Sequence, residues 1–317
     1  MISTHPINGR NHTVCSSVEE ELTPGVGENG VYALDYLSIL CVNGDLVHDF
    51  LQGLLTCDVR EVNAHRMRPS ALCNVQGRII ACLDLIEWHD KLYLIFPSDL
   101  TPHIMRRLTR AAQLSRVKLE AVDDYRMIGC YPHDTNAPLF DTPWPSSSCD
   151  LIASDDYACY RLNQRMLHAI VKKSFKPACP PMRGSLAWHT LRLQHGGFEI
   201  YPESSGLFLP HRLDLHQTPS LNFNKGCYLG QEIIARMQYR SKPKHGMQTF
   251  IAHTKELLAP GFKLSNNQNE WGEVVDSSPL NHNTSLFSAS VLFDSPQHGV
   301  LQGPLGPVDY EPFACTH

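Results

Sequence analysis

The chain has 317 residues, room for two or three domains and a substantial core. Hydrophobic residues make up 42% and charged residues 19%, the balance of a soluble globular protein, and no apolar run of about 18 residues is present to span a membrane. The formal net charge of −5 argues against phosphate-driven binding to bulk nucleic acid.

Residues 1–30 read as a flexible N-terminal arm. They are polar, lack the apolar core of a secretion signal, and carry Glu19-Glu20-Glu21, which a mitochondrial transit peptide would avoid. Gly25-Val26-Gly27-Glu28-Asn29-Gly30 matches the pattern G-x-G-x-x-G. An acidic stretch precedes it and a strand-like segment follows where a helix should begin, so it reads as a Gly-rich linker and not as a dinucleotide site. Eleven cysteines, an odd number without a Cys-x-x-Cys pair, read as reduced thiols of a cytoplasmic protein; no metal site is expected from local spacing.

From Tyr36 the pattern becomes regular. Tyr36 to Val42 is apolar and strand-like, and Gly44-Asp45 opens a helix with Leu46, Phe50, Leu51 and Leu54 at helical spacing. Ser70–Asn74, Arg78–Glu87 and Lys91–Phe96 form a meander around turns at Gln76-Gly77 and His89-Asp90. Ser98 or Thr101 caps a helix running to about Leu114, and Val117–Val122 is a further strand. The order β-α-β-β-α-β is that of a ferredoxin-like unit. Pro132 to Asp150, with four prolines and three consecutive serines, is a loop. Leu151–Lys173 reads as two strands around Asn163-Gln164, and Ser185–His195 as a helix ended by Gly196-Gly197. Short strands from about Gly246 onward suggest a small β-barrel.

The most informative segment is the octet Lys225-Gly226-Cys227-Tyr228-Leu229-Gly230-Gln231-Glu232, followed by Ile233-Ile234-Ala235-Arg236. Gly226 and Gly230 suit a turn, with a helix entered near Gln231. A helix start beside Lys225 and Arg236 is a setting in which a thiol can become a nucleophile or a metal ligand. Cys227 is therefore the catalytic candidate; the alternative is a small buried packing residue. Glu232 and Arg236, four residues apart, suit either a site or a surface ion pair.

The octet resembles the signature of the YgfZ family of folate-binding proteins, which are related to the aminomethyltransferase T-protein of glycine cleavage. Other segments carry the same resemblance: Gly44 to Val59, Asn74-x-x-Gly77-Arg78-Ile79, Trp188 to Ile200, and Leu207-Phe208-Leu209-Pro210. Together they span roughly residues 31–300. The resemblance implies an α+β fold in a three-part ring, with ferredoxin-like units and a C-terminal small β-barrel. The expected parts are 31–125 with 185–245 as a discontinuous folate-binding domain, 126–184 as a second ferredoxin-like domain, and 246–317 as the barrel. It implies tetrahydrofolate in the central hole, with Trp188, Tyr36, Lys225, Tyr228, Gln231 and Glu232 as candidate contacts; Lys225 would meet a glutamate tail or a phosphate. Gly226, Gly230 and Arg236 belong to the motif's frame. The implied role is folate-dependent support of iron–sulfur cluster assembly or repair in client enzymes, with an indirect effect on tRNA modification. The acidic net charge disfavours direct tRNA binding, and Arg236, Arg240, Lys242 and Lys244 suit either a local basic strip or a solvated face.

Two departures bear on chemistry. Aminomethyltransferase relatives carry an acid pair on the hairpin after Asn-x-x-Gly, and those positions fall here at Ala81 and Cys82. An alanine cannot act as a base, and Asp84 stands two residues out of register, so aminomethyl or methyl transfer is the alternative function and enzymatic activity stays open. An aromatic residue lining the folate site in some members aligns with Leu37, and Tyr36 beside it points to the opposite strand face.

Overall fold

The computed structural model describes residues 2–23, 29–133, 140, 142–175, 182–240, 242–266, 269–304 and 306–316. It begins with a docked hairpin where an arm was expected over 1–30. β1 (Ser3–Ile7) and β2 (Arg10–Val14) pair antiparallel around Asn8-Gly9, whose φ angles of 49° and 79° fit a tight hairpin turn. α1 (Val18–Leu22) follows, with Ser17 and Glu20 forming a capping box. Arg10 is only 4% exposed; its Nε donates to Asp99 at 2.9 Å and its Nη1 to Glu199 at 3.5 Å. Buried Glu21 accepts from the amides of Cys15 at 2.8 Å and Gly184 at 2.9 Å. A Cβ on Gly184 would lie 2.0 Å from the Thr13 carbonyl oxygen, so glycine there lets the hairpin seat. Of the polar residues in this stretch, Arg10 and Glu21 are buried against partners, while Glu19 and Glu20 stay exposed. Gly25 and Gly27 lie outside the described residues, and Gly30 opens a strand, β3 (Gly30–Ala33).

The first sheet contains β4 (Leu37–Asn43), β5 (Arg68–Cys73), β6 (Ile79–Trp88), β7 (Lys91–Pro97) and β8 (Lys118–Ala121) in the order β5-β6-β7-β4-β8, each neighbour antiparallel. Without its edge strand β5, this is the order of a split βαβ unit. Three strands separate α2 (Val47–Gln52) from α3 (Thr101–Leu114), the three of the expected meander; the order β-α-β-β-α-β leaves out the edge strand β5. α3 buries Ile104, Leu108 and Ala112, spaced by four, against the sheet face that carries Leu83, Leu85, Leu92 and Leu94. Alternation along β6 turns Cys82, Asp84, Ile86 and Trp88 to the opposite face.

That opposite face meets a second sheet of β9 (Tyr125–Tyr131), β10 (Leu151–Ala153), β11 (Tyr157–Arg161) and β12 (Leu167–Lys172), in the order β10-β11-β12-β9-β3. Two of its features differ from the sequence reading: β10 is a third strand in the 151–173 segment, and β3 belongs to this sheet although it stands in the expected first domain. Ile39, Ile86, Trp88, Ile95, Tyr160 and Ile170 fill the seam between the sheets. α4 (Ser185–Gln194) closes one end of the seam.

After α5 (Gln231–Arg240), β13 (His245–Ala252), β14 (Lys263–Asn266), β15 (Asn269–Pro279), β16 (Ser285–Leu292), β17 (Gly299–Gly303) and β18 (Gly306–Pro312) form one antiparallel sheet, ordered β14-β15-β16-β13-β18-β17. Its edge strands β14 and β17 approach each other, so the sheet nearly closes into a barrel around Phe250, Trp271, Phe287 and Tyr310. Asp276 of β15 ties the barrel to the rest: its carboxylate accepts from Tyr201 Oη at 2.7 Å and the Glu199 amide at 2.8 Å, and lies 3.0 Å from His189 Nε2. No described helix is long and apolar enough to cross a membrane.

Candidate functional site

The octet and the Asn74 turn, far apart in sequence, form one local structure. The helix begins at Gln231 as expected. Gly230 has a φ of 83°, and a Cβ there would lie 2.5 Å from the Asn74 carbonyl oxygen and 2.8 Å from Gly77 Cα. Only glycine tolerates that approach together with that backbone. Asn74 Oδ1 accepts from the amides of Gln76 and Arg78 and holds the turn, while the Leu229 amide donates to the Gly53 carbonyl at 3.0 Å. Gly226 differs: its φ is ordinary and a Cβ would meet nothing within 4 Å, so neither space nor backbone requires the glycine expected there.

Lys225 is buried. Its Nζ donates to the carbonyls of Gln52 at 2.8 Å, Leu55 at 2.6 Å and Cys57 at 2.7 Å. An ammonium has three protons to give, and all three are spent on the end of α2 and the turn after it. The expected contact with a glutamate tail or phosphate is thus corrected: Lys225 is a staple between the octet and α2. Burial pulls its pKa down to about 8, which leaves it an ammonium at neutral pH. Tyr228 is buried beneath this ammonium, 4.9 Å from its ring centre, and its hydroxyl lacks a partner among the described residues. It is a core residue and not a surface contact. Gln231 is half-buried, and Glu232 and Arg236 are exposed on α5. Cys227 is exposed, whereas the other described cysteines are buried or half-buried. The packing alternative for Cys227 is therefore set aside.

The second region is a cavity of about 70 Å³ in the seam, walled by β6, β7, His168 of β12 and the end of α4. Cys82, Asp84, His168, Arg192 and Glu199 supply its polar wall, and Leu37, Phe96, Leu162 and Phe198 its apolar wall. Glu199 Oε1 accepts from Arg192 Nη1 at 2.7 Å and Tyr36 Oη at 3.1 Å, so Tyr36 reaches the cavity only through this carboxylate. Asp84 Oδ2 accepts from Tyr160 Oη at 3.0 Å and lies 3.1 Å from His168 Nδ1. Its side chain keeps 16% of its surface accessible, and Oδ1 has no protein partner among the described residues. Sequence register placed Asp84 two residues from the acid positions. In a strand, two residues is one full repeat, so Asp84 faces the same side as Cys82 and gives that face a carboxylate. Burial, and then the Glu199 charge, pushes the Cys82 thiol up to about 12.

Trp188 is not on this wall. It is 0% exposed, with its ring against Tyr32 and His168 at centroid distances of 5.3 and 5.6 Å. A Cβ on Gly129 would lie 2.7 Å from that ring, so the indole fills the space the glycine leaves. The pterin-stacking role expected of Trp188 is corrected to a core role one ring behind the cavity. Among the described residues, no cluster of three His, Cys, Asp or Glu side chains is placed to hold a metal ion.

No protein-family model matches the chain. Curated relatives do. The chain is 24% identical over 276 residues to the tRNA-modifying protein YgfZ of Sodalis glossinidius (strain morsitans), covering 82% of this chain and 84% of that one. It is 23% identical over 298 residues to the YgfZ protein of Yersinia pestis (strain Pestoides F), covering 88% and 90%, and 26% identical over 227 residues to that of Blochmanniella pennsylvanica (strain BPEN), covering 67% and 68%. The resemblance carried by the octet thus extends along most of the chain. Among solved structures, the glycine cleavage system aminomethyltransferase T from Bartonella henselae superposes with a TM-score of 0.74 at 14% identity, over 99% of this chain and 93% of that one. The fold is that of this aminomethyltransferase, as expected.

Proposed function

We propose that this relative of the YgfZ proteins is a cytoplasmic tetrahydrofolate-binding protein that supports iron–sulfur cluster assembly or repair in client enzymes, among them enzymes of tRNA modification. The observation that carries the reading is the exposure of Cys227 on a loop fixed from both sides, by the Lys225 staple and by the Gly230–Gly77 contact. A thiol displayed in this way is open to a partner protein.

The cavity suits part of a folate. Asp84 Oδ1 offers an acceptor to the N–H donors of a pterin's pyrimidine edge, and Phe96 and Phe198 offer apolar surface to its flat ring. Its volume is below the ~300–1,000 Å³ of common ligand pockets, so entry of the ring requires Leu37 and Leu162 to turn aside. Bound tetrahydrofolate would supply the ring nitrogens that carry one-carbon units. The chain's own residues orient it: Arg192 and Glu199 hold each other in the wall, and Asp84 supplies a half-buried acceptor.

The test has two arms. Calorimetry with tetrahydrofolate is expected to give binding by the wild type and at least tenfold weaker binding by Asp84→Ala, a loss of about 1.4 kcal/mol or more. Cys227→Ser, in cells that depend on this protein, is expected to lower the activity of an iron–sulfur tRNA-modifying enzyme while leaving folate binding intact. No binding by the wild type sinks the folate role, and full function of Cys227→Ser sinks the thiol role.

Asp84 favours a second reading, folate-dependent aminomethyl or methyl transfer, because it places a carboxylate in the cavity where Ala81 and Cys82 offer none. Purified protein would then turn over methylene-tetrahydrofolate or a methylated amine, and Asp84→Asn would abolish that turnover.

A further inference from the structure

We infer that the outer face of α5 and the segment joining it to β13 form a docking surface for single-stranded nucleic acid. Of the large hydrophobic side chains strongly exposed among the described residues, two are aromatic: Tyr239, 70% exposed, and Phe293, 68% exposed. One is on α5, and the other is tied to the segment that follows it. Tyr239 is in the last turn of α5, its ring edge against Phe223 at 6.0 Å. The Phe293 amide donates to the Lys244 carbonyl at 3.1 Å, which sets Phe293 beside the joining segment. An exposed flat ring presents a stacking face that every base can use.

Four cations share the surface. Arg236 and Arg240 stand one helical turn apart on α5 with Tyr239 between them in sequence, and Lys242 and Lys244 stand between α5 and β13. All four are exposed, and no ion pair within 4 Å engages them among the described residues. Glu232 is the sole acid of α5; it stands one turn before Arg236 and two turns before Arg240. At the start of β13, burial and then the charges of Arg212, Lys244 and Lys263 hold the His245 pKa low, against the pull of Glu273. The four cations outnumber the two exposed acids beside them, Glu232 on α5 and Asp294 next to Phe293, although the chain as a whole carries −5. The acidic net charge, which argued against direct tRNA binding, averages over the whole surface; a strand a few nucleotides long meets only this strip. Free cations interleaved with exposed rings match a single strand, whose phosphates and unstacked bases are both accessible, better than a duplex, whose bases are hidden.

The test does not depend on folate or on Cys227. Fluorescence anisotropy of a labelled uridine oligonucleotide of about twelve residues, a length within the usual site size, measures binding at rising salt. Four phosphate contacts predict a slope of log K against log salt near −3, falling in magnitude by about 1.4 in the double variant Arg240→Gln/Lys242→Gln. Tyr239→Ala with Phe293→Ala is expected to weaken binding at least tenfold without changing the slope. All four substitutions are on the surface, and unchanged circular dichroism checks that the fold is kept. A thymidine oligonucleotide run in parallel separates RNA from DNA as the source of the strand. The inference is overturned if the oligonucleotides do not bind, if the aromatic variant binds as well as wild type, or if a duplex or polyglutamate competes as well as the single strand.

Discussion

Lys225 illustrates how a side chain's role depends on what its charge is directed at. Read along the chain, a lysine beside a cysteine invites a ligand contact. In the fold its ammonium meets three carbonyls, of Gln52, Leu55 and Cys57, all within 2.8 Å. Removing it strands three buried acceptors, each costing about 1–3 kcal/mol when unpaired. Lys225→Met is therefore expected to lower the unfolding free energy by about 3–5 kcal/mol in urea titrations, and Lys225→Arg should not restore it, because a planar fork does not fit three converging carbonyls. A surface lysine would change stability by less than about 0.5 kcal/mol. The two glycines of the octet divide in the same manner. Gly230→Ala places a methyl 2.5 Å from a backbone oxygen at a positive φ and should cost about 2–4 kcal/mol, strain and overpacking together. Gly226→Ala meets open space, and its unfolding midpoint should match the wild type's.

At the scale of elements, the N-terminal hairpin makes its own stability depend on pH. His12 of β2 is buried, packed between Tyr36 and His189 at centroid distances of 5.0 and 4.8 Å, and neither ring nitrogen has a partner among the described residues. Burial, then His189 and Arg10, hold its pKa well below 6.5. The unfolded chain takes up a proton as pH falls through about 6.5 and the folded chain does not, so stability drops on acidification. The expected slope is up to about 1.4 kcal/mol per pH unit below pH 6, and His12→Gln should flatten it by that amount. Urea midpoints at three pH values read this directly; equal slopes in the two proteins would refute it. The same hairpin marks the limit of what sequence could reveal. The strand alternation of β6, the start of α5 and the Asn74 turn were legible because they rest on neighbours a few residues away. The docked hairpin was not, because Arg10 and Glu21 take their partners from Asp99, Glu199 and Gly184. Asp84 is hidden from a count of residues along the hairpin, because what brings it beside Cys82 is the two-residue repeat of the strand face. Trp188 was read as a contact because a core indole and a stacking indole look alike until Gly129 is seen against it.

For the whole molecule, the cavity's position matters more than its size. Its walls come from the first sheet through Asp84 and Phe96, from the second through His168, and from the α4 segment through Arg192 and Glu199. The α4 segment is in turn bound to the barrel by Asp276, which meets His189, Tyr201 and the Glu199 amide. A ligand held there touches every part of the fold directly or through one carboxylate, so its binding energy opposes separation of the sheets and not only local loosening. If tetrahydrofolate binds in the cavity, a concentration of 100 times its Kd should raise the unfolding free energy by about 2.7 kcal/mol. In a chain of 317 residues this shifts the melting midpoint by a few degrees, and the two sheets should melt in one transition. Asp84→Asn keeps the shape of the wall, because an amide oxygen can still accept from Tyr160, but it turns an N–H₂ donor toward the ligand's own N–H donors, where Asp84 offers an acceptor. Its melting curve without ligand should lie near the wild type's, and its shift with tetrahydrofolate should shrink by at least half. A wild-type midpoint that does not move in scanning calorimetry at saturating tetrahydrofolate would remove the ligand from the cavity.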